Sequence, residues 1–236
     1  MSCARRNIYS YTAMRTYTVK KVAQDATPAI TALWDDAVWA NANIAKIDSV
    51  RPESAGKIPT VELKLLHNGS TIFGVFRVKD HSVLAARKNY NEMVCRDSCV
   101  EFFFKPRKDL GYMNVEMSAG GTHLCYYIRN EVRKGEGYED FDEVSPTVGL
   151  RVITLGTTGF IPVEQKGDIT WQMRFQIPLT VPEAYMGRLG DLSGQAWTAN
   201  FYKCGDELET PHWISWNPVD ELNFHLPRCF GNLLFE

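Results

Sequence analysis

Residues 59–80 read PTVELKLLHNGSTIFGVFRVKD, and this stretch decides the fold class. Val61, Leu63 and Leu65 alternate with Glu62 and Lys64. A period of two puts one face of a strand in a core and the other toward water. Beyond Asn68-Gly69, the residues Ile72, Gly74, Phe76 and Val78 share one face, and Arg77 and Lys79 lie on the other. Asn-Gly between two such runs is the strongest short hairpin signal, because both residues tolerate the positive φ of a tight turn. A β-hairpin with one buried face is expected, turning at Asn68-Gly69.

Similar signals flank it. SCVEFFF (98–104), YMNVEMS (112–118), THLCYYIR (122–129) and VGLRVITL (148–155) read as strands. So do ITWQMRFQI (169–177), AWTANFYK (196–203), HWISW (212–216) and GNLLFE (231–236), with a second hairpin turn at Gly120-Gly121. Helical periodicity is not sustained, and a turn or two of helix is expected in 27–39 and in 182–189. About ten strands punctuated by turns imply an all-β fold, a two-sheet antiparallel β-sandwich of the jelly-roll or immunoglobulin-like kind. No repeat or low-complexity linker divides the 236 residues, so one domain is expected over 17–236 after an N-terminal tail over 1–16. RKGEGYEDFDE (133–143) is the most polar stretch and reads as an exposed loop. Its acids are the oxygen donors calcium prefers, without the regular calcium-loop spacing.

Composition removes several functions. A formal net charge of −2 and only short Lys/Arg runs argue against a nucleic-acid partner, which needs a basic face. No apolar run approaches the ~20 residues of a membrane span. The first 22 residues lack the apolar core of a secretory leader, which leaves the compartment open with the cytoplasm favoured. Six cysteines without a CxxC pair read as packed thiols rather than a zinc site of the usual spacing.

No catalytic motif of the GxSxG, HExxH, phosphate-loop or dinucleotide kind is present. In RDSCVEFFFKP (96–106), Asp97 and Glu101 share a face if the strand is continuous. At ~3.3 Å per residue they stand roughly 13 Å apart, beyond the about 5–9.5 Å of glycosidase pairs. Cys99 lies between them with no motif tying it to a histidine, and reads as packing. No catalytic residue is expected.

Three blocks together carry a resemblance: RDSCVEFFFKP (96–106), YMNVEMSAGGTHLCYYIR (112–129) and NFYKCGDELETPHWISWNPVDELNFHLPRCFGNLLFE (200–236). Their order and spacing resemble the family 9 carbohydrate-binding modules, in particular the free-standing bacterial branch, from about Tyr17 to Glu236. The resemblance implies a β-sandwich that binds a sugar or oligosaccharide end without altering it. Two tryptophans of such modules clamp a terminal sugar, whose C–H faces pack on the rings while its hydroxyls need polar partners. On this basis carbohydrate contacts are expected at Glu101, Asn114, Asn200, Tyr202, Trp216, Phe224 and His225. Phe224 stands near one clamp position. The other matches Cys95, which offers no platform, so Tyr90 or a tryptophan elsewhere has to substitute, with Trp216 in SWNPVDE preferred. Asp80 matches a family acid suited to a turn or a metal. No cofactor is required; the resemblance allows a structural calcium ion and fixes no site for it. Two other readings stay open. One is a carbohydrate-active enzyme with acids from separate strands, the other an interaction domain that kept the fold and lost the sugar site.

Overall fold

The structure, a computed structural model, describes residues 14–135 and 137–236. Most of the expected 1–16 tail, with Cys3, lies outside these residues. Fourteen strands are described: β1 (Thr16–Lys21), β2 (Ile44–Ile47), β3 (Ser49–Val50), β4 (Thr60–His67), β5 (Thr71–Ala85), β6 (Cys99–Lys105) and β7 (Tyr112–Ser118), then β8 (His123–Lys134), β9 (Gly137–Glu143), β10 (Ile153–Gly156), β11 (Ile161–Pro178), β12 (Ala196–Cys204), β13 (Trp213–Ser215) and β14 (Gly231–Phe235).

The strands form two layers. One runs β10-β11-β5-β4, with β2 beside β4; the other runs β14-β12-β6-β7-β8-β9, with β13 on β12 and β3 on β13. β1 joins them, because Thr16–Val19 pairs with β14 while Lys20 and Lys21 pair with β4. Both β1 pairings are parallel, a departure from the expected antiparallel sheets; the other described pairs are antiparallel. The alternation in 59–80 drives the stacking. Val61, Leu63, Leu65, Phe76 and Val78 enter one core with Val100, Phe102, Phe104 and Phe201 of the facing layer. Phe102 sits at the centre, 5.0 Å from Phe104, 5.3 Å from Phe201 and 6.1 Å from Phe175 by ring centroids.

The hairpin forms, but it turns one residue later than expected. His67 pairs with Ile72, so Gly69 and Ser70 are the central residues, and Gly69 takes φ +96°. Asn68 instead caps the turn with its side chain, Oδ1 accepting the N–H of Ser70 at 3.1 Å and of Thr71 at 2.9 Å. Its affinity for nearby backbone donors outweighs its tolerance of positive φ. Gly74 serves packing instead: a Cβ there would lie 2.0 Å from the ring of its cross-strand partner Phe175.

Other boundaries also moved. The expected strand over 148–155 begins inside a short helix, α1 (Pro146–Gly149), which Pro146 starts, and becomes strand only at Ile153. The region 182–189 overlaps α2 (Thr180–Met186), and 27–39 contains a 3₁₀ turn at Ala37–Trp39. The described residues of the polar 133–143 stretch are mostly strand rather than loop, with 133–134 ending β8 and 137–143 forming β9, which pairs with it. Arg129 is held there by Asp140 and Asp142, each at 2.6 Å.

β6 is buried on both faces. Val100, Phe102 and Phe104 point into the sandwich, and Cys99, Glu101 and Phe103 point out of it, none more than 2% exposed. The outer face of this layer is therefore roofed, and the roof makes the site.

Candidate functional site

Strand parity sets what lies under the roof. Cys99, Phe103, Tyr112, Tyr202 and Cys204 pack on the outer face, where residues 219–230 fold back across them. Two side chains fasten that segment. The Asn200 carboxamide accepts the N–H of Asn217 at 2.8 Å and donates to its carbonyl at 2.9 Å. Tyr202 donates its hydroxyl to the Phe224 carbonyl at 2.9 Å and stacks beneath the Phe224 ring, with centroids 4.1 Å apart and planes 14° from parallel. A cleft of about 180 Å³ remains between this segment, the residues around Cys95 and Asp206, and the β8–β9 hairpin.

Glu101 and Glu116 form its floor as direct cross-strand partners, 2% and 6% exposed. The Cys204 thiol donates to Glu101 Oε1 at 3.1 Å, and the Asn114 amide donates to Glu116 Oε1 at 2.8 Å. Burial, then repulsion from Glu116, holds the Glu101 carboxyl well above its usual range. Burial lifts Glu116 to about 7, with the Asn114 bond pulling the other way. Near neutral pH the floor thus offers O–H donors as well as acceptors.

The walls are aromatic. Trp213 is half-buried, while the other five tryptophans are 3% exposed or less. Its indole Nε1–H donates to Asp206 at 2.9 Å, and its backbone N–H to Ser54 Oγ at 2.9 Å, which fixes the ring at the cleft. Arg133 lies over the Tyr138 ring, 4.4 Å from its centroid, and borders the same cleft. It arrives there beyond a register irregularity between β8 and β9, the kind of feature that re-aims a side chain.

The family model described as carbohydrate-binding family 9 matches residues 32–235. The chain belongs to carbohydrate-binding family 9. Membership makes carbohydrate binding its function class. A crystal structure of a Bacteroides uniformis ATCC 8492 protein assigned to carbohydrate binding superposes with TM-score 0.81 at 29% identity, covering 95% of this chain and 100% of that one. A family 9 module from Caldicellulosiruptor kristjanssonii in complex with cellotriose gives TM-score 0.59 at 15% identity over 94% of each chain. The same organism's module in complex with glucose gives 0.58 at 15%, over 94% and 96%. At that identity the two share the fold. Nothing among curated proteins matches the chain.

Within this family 9 fold the expected contact residues divide into two groups. Glu101, Phe224 and His225 line the cleft. His225 is wedged among Phe103, Tyr138 and Tyr112, its Nδ1 2.9 Å from the Tyr112 hydroxyl, and burial holds it neutral well below its usual range. The others stand behind. Asn114 is fully buried and supports Glu116, while Asn200 and Tyr202 hold the roof. Trp216 does not face the cleft. It is 3% exposed, packs 5.0 Å from Phe201 by centroids and lies where a Cβ on Gly231 would stand 2.6 Å away.

The acids weighed for catalysis or metal are engaged elsewhere. Asp97 precedes β6 rather than lying on it, and accepts from Ser118 Oγ at 2.7 Å and Arg87 Nη1 at 3.0 Å. Asp80 faces the buried Lys203 ammonium at 3.4 Å, and Lys203 points to the core side, away from Glu101. With Asp80 paired to Lys203, and Asp140 and Asp142 to Arg129, neither place fits a calcium shell of free oxygens. Trp213, Glu116 and Arg133 are among the cleft residues that sequence reasoning missed. Parity held the signal for the first two: Glu116 alternates with the core residues Val115 and Met117, and Trp213 with Ile214.

Proposed function

We propose that this family 9 module binds a single terminal sugar of a carbohydrate in the cleft, without chemical conversion. One observation carries the reading: the only tryptophan of six left half-exposed stands beside a floor of buried, hydrogen-bonded carboxyls. The indole offers a stacking face for sugar C–H groups, and Glu101, Glu116 and Arg133 offer directional partners for hydroxyls. A volume of about 180 Å³ lies below the ~300–1,000 Å³ of drug-sized pockets and suits one sugar unit. Trp213 takes the place of the platform that Cys95 does not supply.

The enzymatic reading has one point in its favour, since Glu101 and Glu116 come from separate strands and lie side by side. Glycoside hydrolysis, however, needs one ionised and one protonated carboxyl flanking the scissile bond. Here both carboxyls share one floor, and burial drives both toward the neutral form. Calorimetry against a panel of mono- and oligosaccharides tests the proposal, with binding expected for the wild type and weakened in Glu116→Gln. Silence across the panel would refute it, and turnover of chromogenic glycosides would replace it with catalysis.

A further inference from the structure

Cys99 and Cys204 are direct cross-strand partners in β6 and β12, and their thiols point to the outer face beside Glu101. One ligand atom from each of these three residues lies within 4.8 Å of the others, and Cys204 Sγ is 3.1 Å from Glu101 Oε1. We infer that Cys99, Cys204 and Glu101 form a binding site for a thiophilic divalent cation, zinc by its chemistry, at the floor of the cleft.

Two sulfurs and one carboxylate oxygen make a donor set for zinc rather than for magnesium or calcium, which take oxygen. Tetrahedral zinc with Zn–S near 2.3 Å and Zn–O near 2.1 Å sets its donors roughly 3.5–3.8 Å apart. The observed cluster reaches that spacing by side-chain shifts of about an ångström or less, with both strands in place. Glu101 and Cys204 line the cleft while Cys99 lies behind them, so the fourth coordination position faces the cleft. Three protein ligands with one open position leave room for water or another small oxygen donor, and Glu116 stands across from Glu101 to orient it. Burial pushes the Cys99 thiol up to about 12, and its hydrogen bond with Cys99 and then burial hold the Cys204 thiol well above its usual range. Burial holds the Glu101 carboxyl up as well, so each of the three releases a proton to solvent as its bond to zinc forms.

The site does not depend on the sugar reading, and its test reads metal rather than carbohydrate. The full chain, reduced and treated with chelator, is titrated with Zn²⁺ and followed by native mass spectrometry, and with Co²⁺ followed by absorption. One cation per chain and a thiolate-to-cobalt charge-transfer band are expected. Cys99→Ser and Cys204→Ser should each lower affinity by more than the ~10–100-fold that losing a supporting group costs. Glu101→Gln should weaken binding and keep the thiolate band, while Cys95→Ser and Cys229→Ser should bind as the wild type does. No retained cation, or retention with equal affinity in Cys99→Ser and Cys204→Ser, overturns the inference. Should either serine variant fail to fold, the cobalt spectrum of the wild type decides: a weak octahedral spectrum without a thiolate band refutes the site.

Discussion

Trp213→Ala strips the cleft of its exposed indole. A sugar stacked on one indole face covers on the order of 70 Å², about a third of the ~200 Å² a large aromatic buries. At ~25 cal/mol per Å² this is worth ~1.7 kcal/mol, or ~20-fold in Kd. The substitution also frees Asp206 from the Nε1–H bond. Trp213→Phe frees it equally while keeping an aromatic face, so the difference between the two variants isolates stacking. Calorimetry gives the affinities, and a thermal melt confirms that a half-buried side chain was removed without unfolding the sandwich. Fluorescence gives an independent readout. The other five tryptophans are 3% exposed or less, so a sugar-dependent change in emission or acrylamide quenching should vanish in Trp213→Phe. Unchanged affinity in Trp213→Ala, or a sugar response that survives in Trp213→Phe, would show that the ligand does not stack there.

Asn200→Ala leaves the Asn217 N–H and C=O without their partner, at ~2–4 kcal/mol of stability by chemical denaturation, and should weaken sugar binding by loosening the segment that carries Phe224. Gly74→Ala forces a methyl into the Phe175 ring and should cost ~1–3 kcal/mol, visible as a lower Tm with no change at the cleft. Lys203→Met leaves the Asp80 carboxylate buried without its ammonium and should cost ~3–5 kcal/mol, partly relieved by adding Asp80→Asn. Burial, then the Lys203 charge, pushes His212 from 6.5 down to about 3, so the folded state keeps it neutral. Its contribution is present above the unfolded pKa and is lost as pH falls toward the folded one, so in that window His212→Asn should flatten the acid limb of stability by ~1.4 kcal/mol per pH unit. An unaltered slope in urea titrations across that range would mean that His212 is already charged in the fold.

The inner half of this molecule was legible because a single rule governs it. Period-two alternation in 59–80 and the β-branched runs around it are satisfied only by burying one face, and Val61, Leu63, Phe76 and Val78 lie where that rule puts them. Local chemistry shifted the edges. Asn68 moved the turn by one residue through its own side chain, and Pro146 opened a helix where a strand was expected. Neither event changes the hydrophobic pattern, so neither shows in it.

The outer face was harder for a physical reason. β6 is buried on both sides, so polarity alone does not separate a residue that meets ligand from one that holds the roof. Asn114, Asn200 and Tyr202 have the right residue types and the right face, yet their hydrogen bonds go to Glu116, Asn217 and the Phe224 carbonyl. What separates them from Glu101 and Glu116 is the path of residues 219–230, which crosses the sheet at Phe224 and leaves the two glutamates beneath an opening. That path depends on contacts distant in sequence: Asn200 to Asn217, and Tyr202 to Phe224. Parity could have named Trp213 over Trp216, because Ile214 and Trp216 share the core side and Trp213 must take the other. Arg133 had no such signal, since the register irregularities of the β8–β9 hairpin break the alternation before it. The aromatic wall of the cleft therefore comes from Trp213 on β13, a strand distant in sequence from the segment before β6 that holds Cys95.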